Sequence, residues 1–108
     1  TWLPAKFALA GMGMGGMVAM EILRRAPERV TWVAFIATNA QSDTPEIAAL
    51  REPNIIAAKS GRLDDAMQSE VNSAWLSPGP YRMDVVSLLS ELAQALGPDV
   101  YVRQSRAM

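Results

Sequence analysis

A short α/β unit followed by an all-helical stretch is the fold class that this sequence predicts, on three observations. Two apolar runs, the short Lys6–Ala10 and the β-branched and aromatic Val30–Ala37, flank one amphipathic segment. A cluster of four glycines, Gly11-Met12-Gly13-Met14-Gly15-Gly16, joins the first run to that segment. Beyond residue 43 the apolar residues recur three or four apart, the spacing of helices.

Lys6–Ala10 stops at the glycines, as a buried strand does at a turn. The cluster itself is too glycine-rich for a strand or a helix interior, because glycine loses the most backbone freedom on ordering. Met17–Ala26 is the predicted first helix. Met17, Met20 and Leu23 share a face with Val18 and Ile22 beside them, while Glu21, Arg24 and Arg25 point outward. Pro27 ends it, lacking the amide hydrogen that a further turn needs. Val30–Ala37 is the second strand, which completes a βαβ unit with parallel strands. Downstream, Asp43 or Thr44 is expected to cap a helix through Leu50, with Pro53 as a break and Asn54–Ser60 as a second segment closed by Gly61. The spacing Leu63, Met67, Val71, Trp75 predicts a third helix over Arg62–Leu76. Ser77-Pro78-Gly79-Pro80 is a turn. Val86, Leu89, Leu92 and Leu96 predict a helix from Met83 to Leu96, ended by Gly97-Pro98, and Asp99–Met108 begins another. The organisation is thus an α/β part over 1–43 and a helical part over 44–108, with no internal repeat.

The totals exclude several function classes. The chain has 108 residues, half of them hydrophobic and 19% charged, a globular composition with enough length for one core. A net charge of −1 with scattered Lys and Arg provides no field for nucleic acid. No apolar run reaches the ~20 residues that span a bilayer, so no membrane partner is expected. The absence of cysteine excludes disulfides and thiol nucleophiles and fits a cytoplasmic location. The start, Thr1-Trp2-Leu3-Pro4, has neither a basic signal-peptide region nor an initiator methionine. There is also no histidine, the side chain most used for acid–base catalysis near neutral pH. Two parallel strands are few for a sheet, so their edges are expected to pair with missing chain or with another copy, as a homo-oligomer.

The glycine turn has two chemical interpretations. Gly11, Gly13 and Gly16 fit the G-x-G-x-x-G spacing of dinucleotide sites, whose bare amides at a helix N-terminus hold a pyrophosphate. Such sites also use an acid at the end of the second strand to hold a ribose. Here that strand ends Ala37-Thr38-Asn39-Ala40, and the first acid is Asp43. The alternative is a nucleophile elbow, G-x-S-x-G, centred on residue 13 with the serine replaced. The elbow needs small residues two before and two after its centre, and Gly11 and Gly15 supply them.

The wider sequence favours the elbow. Phe7-Ala8-Leu9-Ala10-Gly11, Met14-Gly15-Gly16, the helix Val18–Ala26 and the turn Pro27-Glu28-Arg29-Val30 closely resemble the α/β-hydrolase superfamily. Its members typically read Gly-His-Ser-Met-Gly-Gly at this turn. Thr38–Glu46 is similar to the exit from the family's next strand into its cap, and Gly97–Gln104 to the end of the cap in small esterase-like members. The resemblance implies a partial α/β-hydrolase fold, a nucleophile elbow followed by a helical cap. It also implies hydrolysis of a small ester or similar carbonyl substrate by the full-length relative, without metal or other cofactor.

Against that pattern, Gly13 occupies the nucleophile position and cannot attack a carbonyl. Met12 stands where the family often has His or Leu and shapes the substrate pocket. Met14 follows the nucleophile position, so its backbone N–H is the implied oxyanion-hole donor. The family's acid and histidine come later in the chain order than this sequence extends. The expectation is a catalytically incompetent, pseudoenzyme-like segment. Its rivals are a non-catalytic association module and a small dinucleotide-binding unit on Gly11, Gly13 and Gly16. Met17 and Met20 are expected to fill core, and Met12 and Met14 fit pocket or core equally. Trp75 is expected to pack along its helix. Asp64 and Asp65, about 100° apart on a helix, form a solvated face and not a chelate. Ser42, Ser60, Ser73 and Ser90 are expected at caps, turns or the surface.

Overall fold

A computed structural model describes residues 2–108. The chain forms two compact units, Thr1–Ser42 and Asp43–Met108.

The first unit is a mixed α/β arrangement of strand β1 (Phe7–Met12), helix α1 (Met14–Arg25) and strand β2 (Val30–Ile36). The strands pair in parallel as a two-stranded sheet, with Ala8 opposite Trp32 and Met12 opposite Ile36. Both regular elements run further into the glycine cluster than expected. β1 takes in Gly11 and Met12, and α1 begins at Met14 and not at Met17, leaving Gly13 alone between them. Backbone packing outweighs glycine's weak propensity here, because only Cβ-free residues let the two elements meet so closely. Helix α1 ends at Arg25, and Ala26 caps it through its N–H to the Ile22 carbonyl. Pro27–Arg29 then makes one 3₁₀ turn. Arg29 ties this turn to the entry of β1 by donating to the Pro4 and Ala5 carbonyls, and its guanidinium lies over the Phe7 ring.

The buried positions of α1 are Gly16 and Ala19, three apart on the face toward the strands. Met17 and Met20, expected in the core, are half-buried at its margin, and Val18 is exposed. On the outer face Glu21 accepts from Arg24 and Arg25, as the spacing predicts. The sheet's other face carries Ala8, Ala10, Met12, Trp32, Ala34 and Ile36 by register. Trp32 there is 64% exposed.

The second unit is all-helical: α2 (Pro45–Lys59), α3 (Leu63–Glu70), α4 (Arg82–Leu96) and α5 (Pro98–Ala107). Thr44, not Asp43, caps α2 by accepting from the Ile47 N–H, with Pro45 in the first helical position, while Asp43 pairs with Arg51. Pro53 does not break α2. It removes one amide donor, and the helix runs on because its later turn carries the buried Ile55, Ala57 and Ala58 against its neighbours. Gly61, at φ 80°, ends α2 as expected. The N–H groups of Gly61 and Arg62 return to the carbonyls of Ala58 and Ala57, a Schellman closure.

Helix α3 stops at Glu70, short of the expected Leu76. A separate 3₁₀ turn, Ser73–Trp75, follows because the Asn72 side chain accepts from the Ala74 N–H and diverts the backbone. Trp75 is therefore off any helix face and 77% exposed, contrary to its expected packing role. Leu63, Ala66, Ile55, Ala57 and Ala58 form the buried core. Small residues dominate it, so helix backbones approach closely with little apolar volume. Gly97 caps α4, accepts from Tyr101 and hands the chain to Pro98 at the start of α5. Among the described residues, no helix is long and apolar enough to cross a membrane.

Candidate functional site

The site on which the sequence centres is the bend from β1 to α1. Its geometry follows from three close approaches. A Cβ on Gly11 would lie 2.3 Å from the Gly15 carbonyl oxygen and 2.7 Å from the Gly16 Cα, so strand and helix touch backbone to backbone. A Cβ on Gly16 would lie 2.4 to 2.6 Å from Thr38 side-chain atoms, which places the exit of β2 against the start of α1. Gly15 differs: nothing lies within 4 Å of its Cβ position. Crowding at the bend thus falls on the side chain of residue 11 and only on the backbone of residue 15, which corrects the symmetrical requirement expected from the motif.

Gly13 sits between these contacts with φ 54° and ψ −122°, outside the regions open to ordinary L-residues. A bond network holds it there. Its N–H donates to the Ile36 carbonyl at 3.1 Å, and its carbonyl accepts from the Gly16 N–H at 3.0 Å and the Thr38 hydroxyl at 2.6 Å. Between Ile36 and Thr38, Ala37 takes φ 45°, an unusual value for a residue with a Cβ. Nothing lies within 4 Å of the Gly13 Cβ position. The bend therefore aims residue 13 into open space and carries no side chain there.

This arrangement bears on both motif interpretations. Two of the three glycine amides that a pyrophosphate would use are already donated, that of Gly13 to the end of β2 and that of Gly16 within the turn. The N–H groups of Met14 and Gly15 begin α1, where helical amides have no partner within the helix. Met14 is half-buried, and Met12, at the end of β1, is 70% exposed and so is not core filling within this unit.

Among the described residues no acidic or basic side chain hydrogen-bonds to Gly13. Glu21 is seven residues beyond the start of α1, about 10 Å along the helix axis. Its carboxyl is held down to about 2 by hydrogen bonds from Arg24 and then Arg25, and it faces away from catalytic use. Among the described residues no three acidic, His or Cys side chains gather as a metal site. Asp64 and Asp65 indeed diverge: Asp64 accepts from Ser90 and Gln94, and Asp65 lies 3.8 Å from Arg62.

Compared with protein-family models, with curated proteins and with solved structures, the chain matches none.

Sequence reasoning missed Thr38 as a partner of Gly13. The two are 25 residues apart, and only the parallel register brings them together. A second missed cluster lies in the helical unit, where the Tyr101 hydroxyl donates to Glu70 Oε1 at 2.8 Å across 31 residues. Burial, followed by the adjacent Glu70 carboxylate, pushes the Tyr101 phenol up to about 12.

Proposed function

We propose that this chain is an α/β-hydrolase-type segment, comprising elbow strand, helix, next strand and helical cap, in which the elbow has lost its nucleophile. The observation that carries this is Gly13, held at positive φ between strand and helix with open space where a side chain would project. Gly61 and Gly97 share positive φ and open space at helix ends; Gly13 is set apart by its place at a bend that runs from a parallel strand directly into a helix. Full-length proteins of this kind hydrolyse small esters or similar carbonyl compounds. Here the Met14 N–H is the remaining oxyanion donor, Met12 borders the substrate pocket, and no acyl-enzyme forms. A cytoplasmic location is part of the same proposal. The two donated glycine amides and the lack of an acid at the end of β2 count against a dinucleotide site.

The chain has no cysteine, so Gly13→Cys introduces a unique thiol. It should react with maleimide under native conditions, with a thiol pKa below the ordinary ~8.5, because the helix N-terminus favours the thiolate. A thiol that labels only after denaturation, or a saturable response of Trp32 fluorescence to millimolar NAD, would overturn the proposal.

The exposed sheet face favours a second reading, an association module. Parallel sheets are ordinarily covered on both faces, and here Trp32 and Ile36 remain open with both strand edges unpaired among the described residues. A second copy of the chain is the proposed cover. Light scattering should then show a dimer that Trp32→Lys returns to monomer; a monomeric parent chain would end this reading.

A further inference from the structure

The helical unit contains a half-open, mostly apolar pocket of about 250 Å³ between α3, α4 and α5. Met67, Leu89, Leu96 and Val100 line it, and Glu70 and Tyr101 supply polar groups at its wall together with Gln104. Glu70 is an unusual member of such a lining. Tyr101 and Asn54 both donate to Oε1, at 2.8 and 3.4 Å, which fixes the carboxylate and leaves Oε2 without a hydrogen bond among the described residues. No Lys or Arg lies within ion-pair distance of it among those residues. An exposed negative charge at the rim of an apolar pocket, with no protein cation beside it among the described residues, is complementary to a ligand that combines hydrocarbon with positive charge.

We propose that this cavity binds a small alkylammonium ion, with its hydrocarbon against Leu89, Leu96 and Val100 and its N–H groups donating to Glu70 Oε2. At about 30 Å³ per heavy atom, the share of one liquid water, the volume admits on the order of eight heavy atoms. A hexyl chain with its ammonium group fits within that volume. The raised phenol of Tyr101 keeps it a donor to Oε1 at neutral pH, so it supports the carboxylate without competing for the cation. The site lies wholly within the Asp43–Met108 unit, and its fate is separate from that of the elbow proposal.

Hexylammonium, hexanol and hexanoate are isosteric probes that differ in charge. Titrated into the full chain and followed by amide NMR, hexylammonium should give saturable shifts at Leu89, Leu96 and Tyr101. Hexanol should bind more weakly, and hexanoate most weakly. Glu70→Gln keeps the side-chain shape at an exposed position, so the fold is retained; it should weaken hexylammonium about tenfold and leave hexanol unchanged. Added salt should weaken the parent's hexylammonium binding in the same direction. Absence of saturation at tens of millimolar, equal binding of hexanoate, or indifference to Glu70→Gln would each overturn the proposal.

Discussion

The two units are held together by different means. In Thr1–Ser42 the decisive contacts are close approaches to glycine backbone, where Gly11 meets the Gly15 backbone and Gly16 meets the Thr38 side chain. In Asp43–Met108 the decisive contacts are between small side chains, with Ile55, Ala57, Ala58, Leu63 and Ala66 packed where α2 and α3 meet. The first unit therefore tolerates almost no added volume at its bend, whereas the second is sensitive to volume removed from a core that has little to spare.

The largest expected effect tests this contrast at Gly11. Gly11→Ala places a methyl group 2.3 Å from a backbone oxygen that cannot swing away, and should cost about 3 kcal/mol or more. Urea unfolding followed by NMR should show β1 and α1 signals lost while those of α2 and α3 persist. Gly15→Ala, with open space at its Cβ, should instead stabilise α1 by up to about 1 kcal/mol. Equal effects at the two positions would contradict the asymmetric bend.

Leu63→Ala is the corresponding cut in the helical unit. Leu63 is buried against α2, and its truncation should cost roughly 2–4 kcal/mol and loosen α2 and α3 in hydrogen exchange, leaving the bend untouched.

Gly13→Ser is milder. There is room for the side chain but φ 54° strains it, so a loss of about 1–2 kcal/mol in thermal or urea unfolding is expected. The variant should show no p-nitrophenyl ester turnover above the uncatalysed rate, because no base accompanies the restored hydroxyl.

The smallest effect is electrostatic. Glu21 is lowered from 4.5 to about 2 by its two arginines. The folded chain thus holds this carboxylate deprotonated where the unfolded chain protonates it. Its contribution is complete above 4.5 and fades as pH falls through about 2. A carboxyl-carbon NMR titration should place the midpoint near the lower value, and high salt should raise it, since the pair is exposed. A midpoint unchanged in Arg24→Gln would refute the arginine origin of the shift.

Much of the chain order was readable from local chemistry. The strands, α1's polar face and the stops at Gly61 and Gly97 each depend on residues within a few positions, such as the Glu21–Arg24–Arg25 spacing or the positive φ that glycine accepts. The failures had different causes. Pro53 was overruled by the tertiary packing of Ile55, Ala57 and Ala58 beyond it, and Asn72 ended the expected third helix by binding the backbone itself. Of the candidate site, the sequence marked the bend and the glycine at its centre, residue 13. It did not mark the hold on Gly13 by Ile36 and Thr38, or the Glu70–Tyr101 pair.

By itself, then, the sequence determined which segments bend, where helices stop, and that position 13 carries no nucleophile, because these are properties of individual residues and their near neighbours. Only the tertiary structure decided which glycine is sterically indispensable, which apolar face stays open, and which distant polar groups meet. Those outcomes depend on strand register and helix packing, which bring together atoms 25 to 31 residues apart, and no local pattern encodes the distance between them.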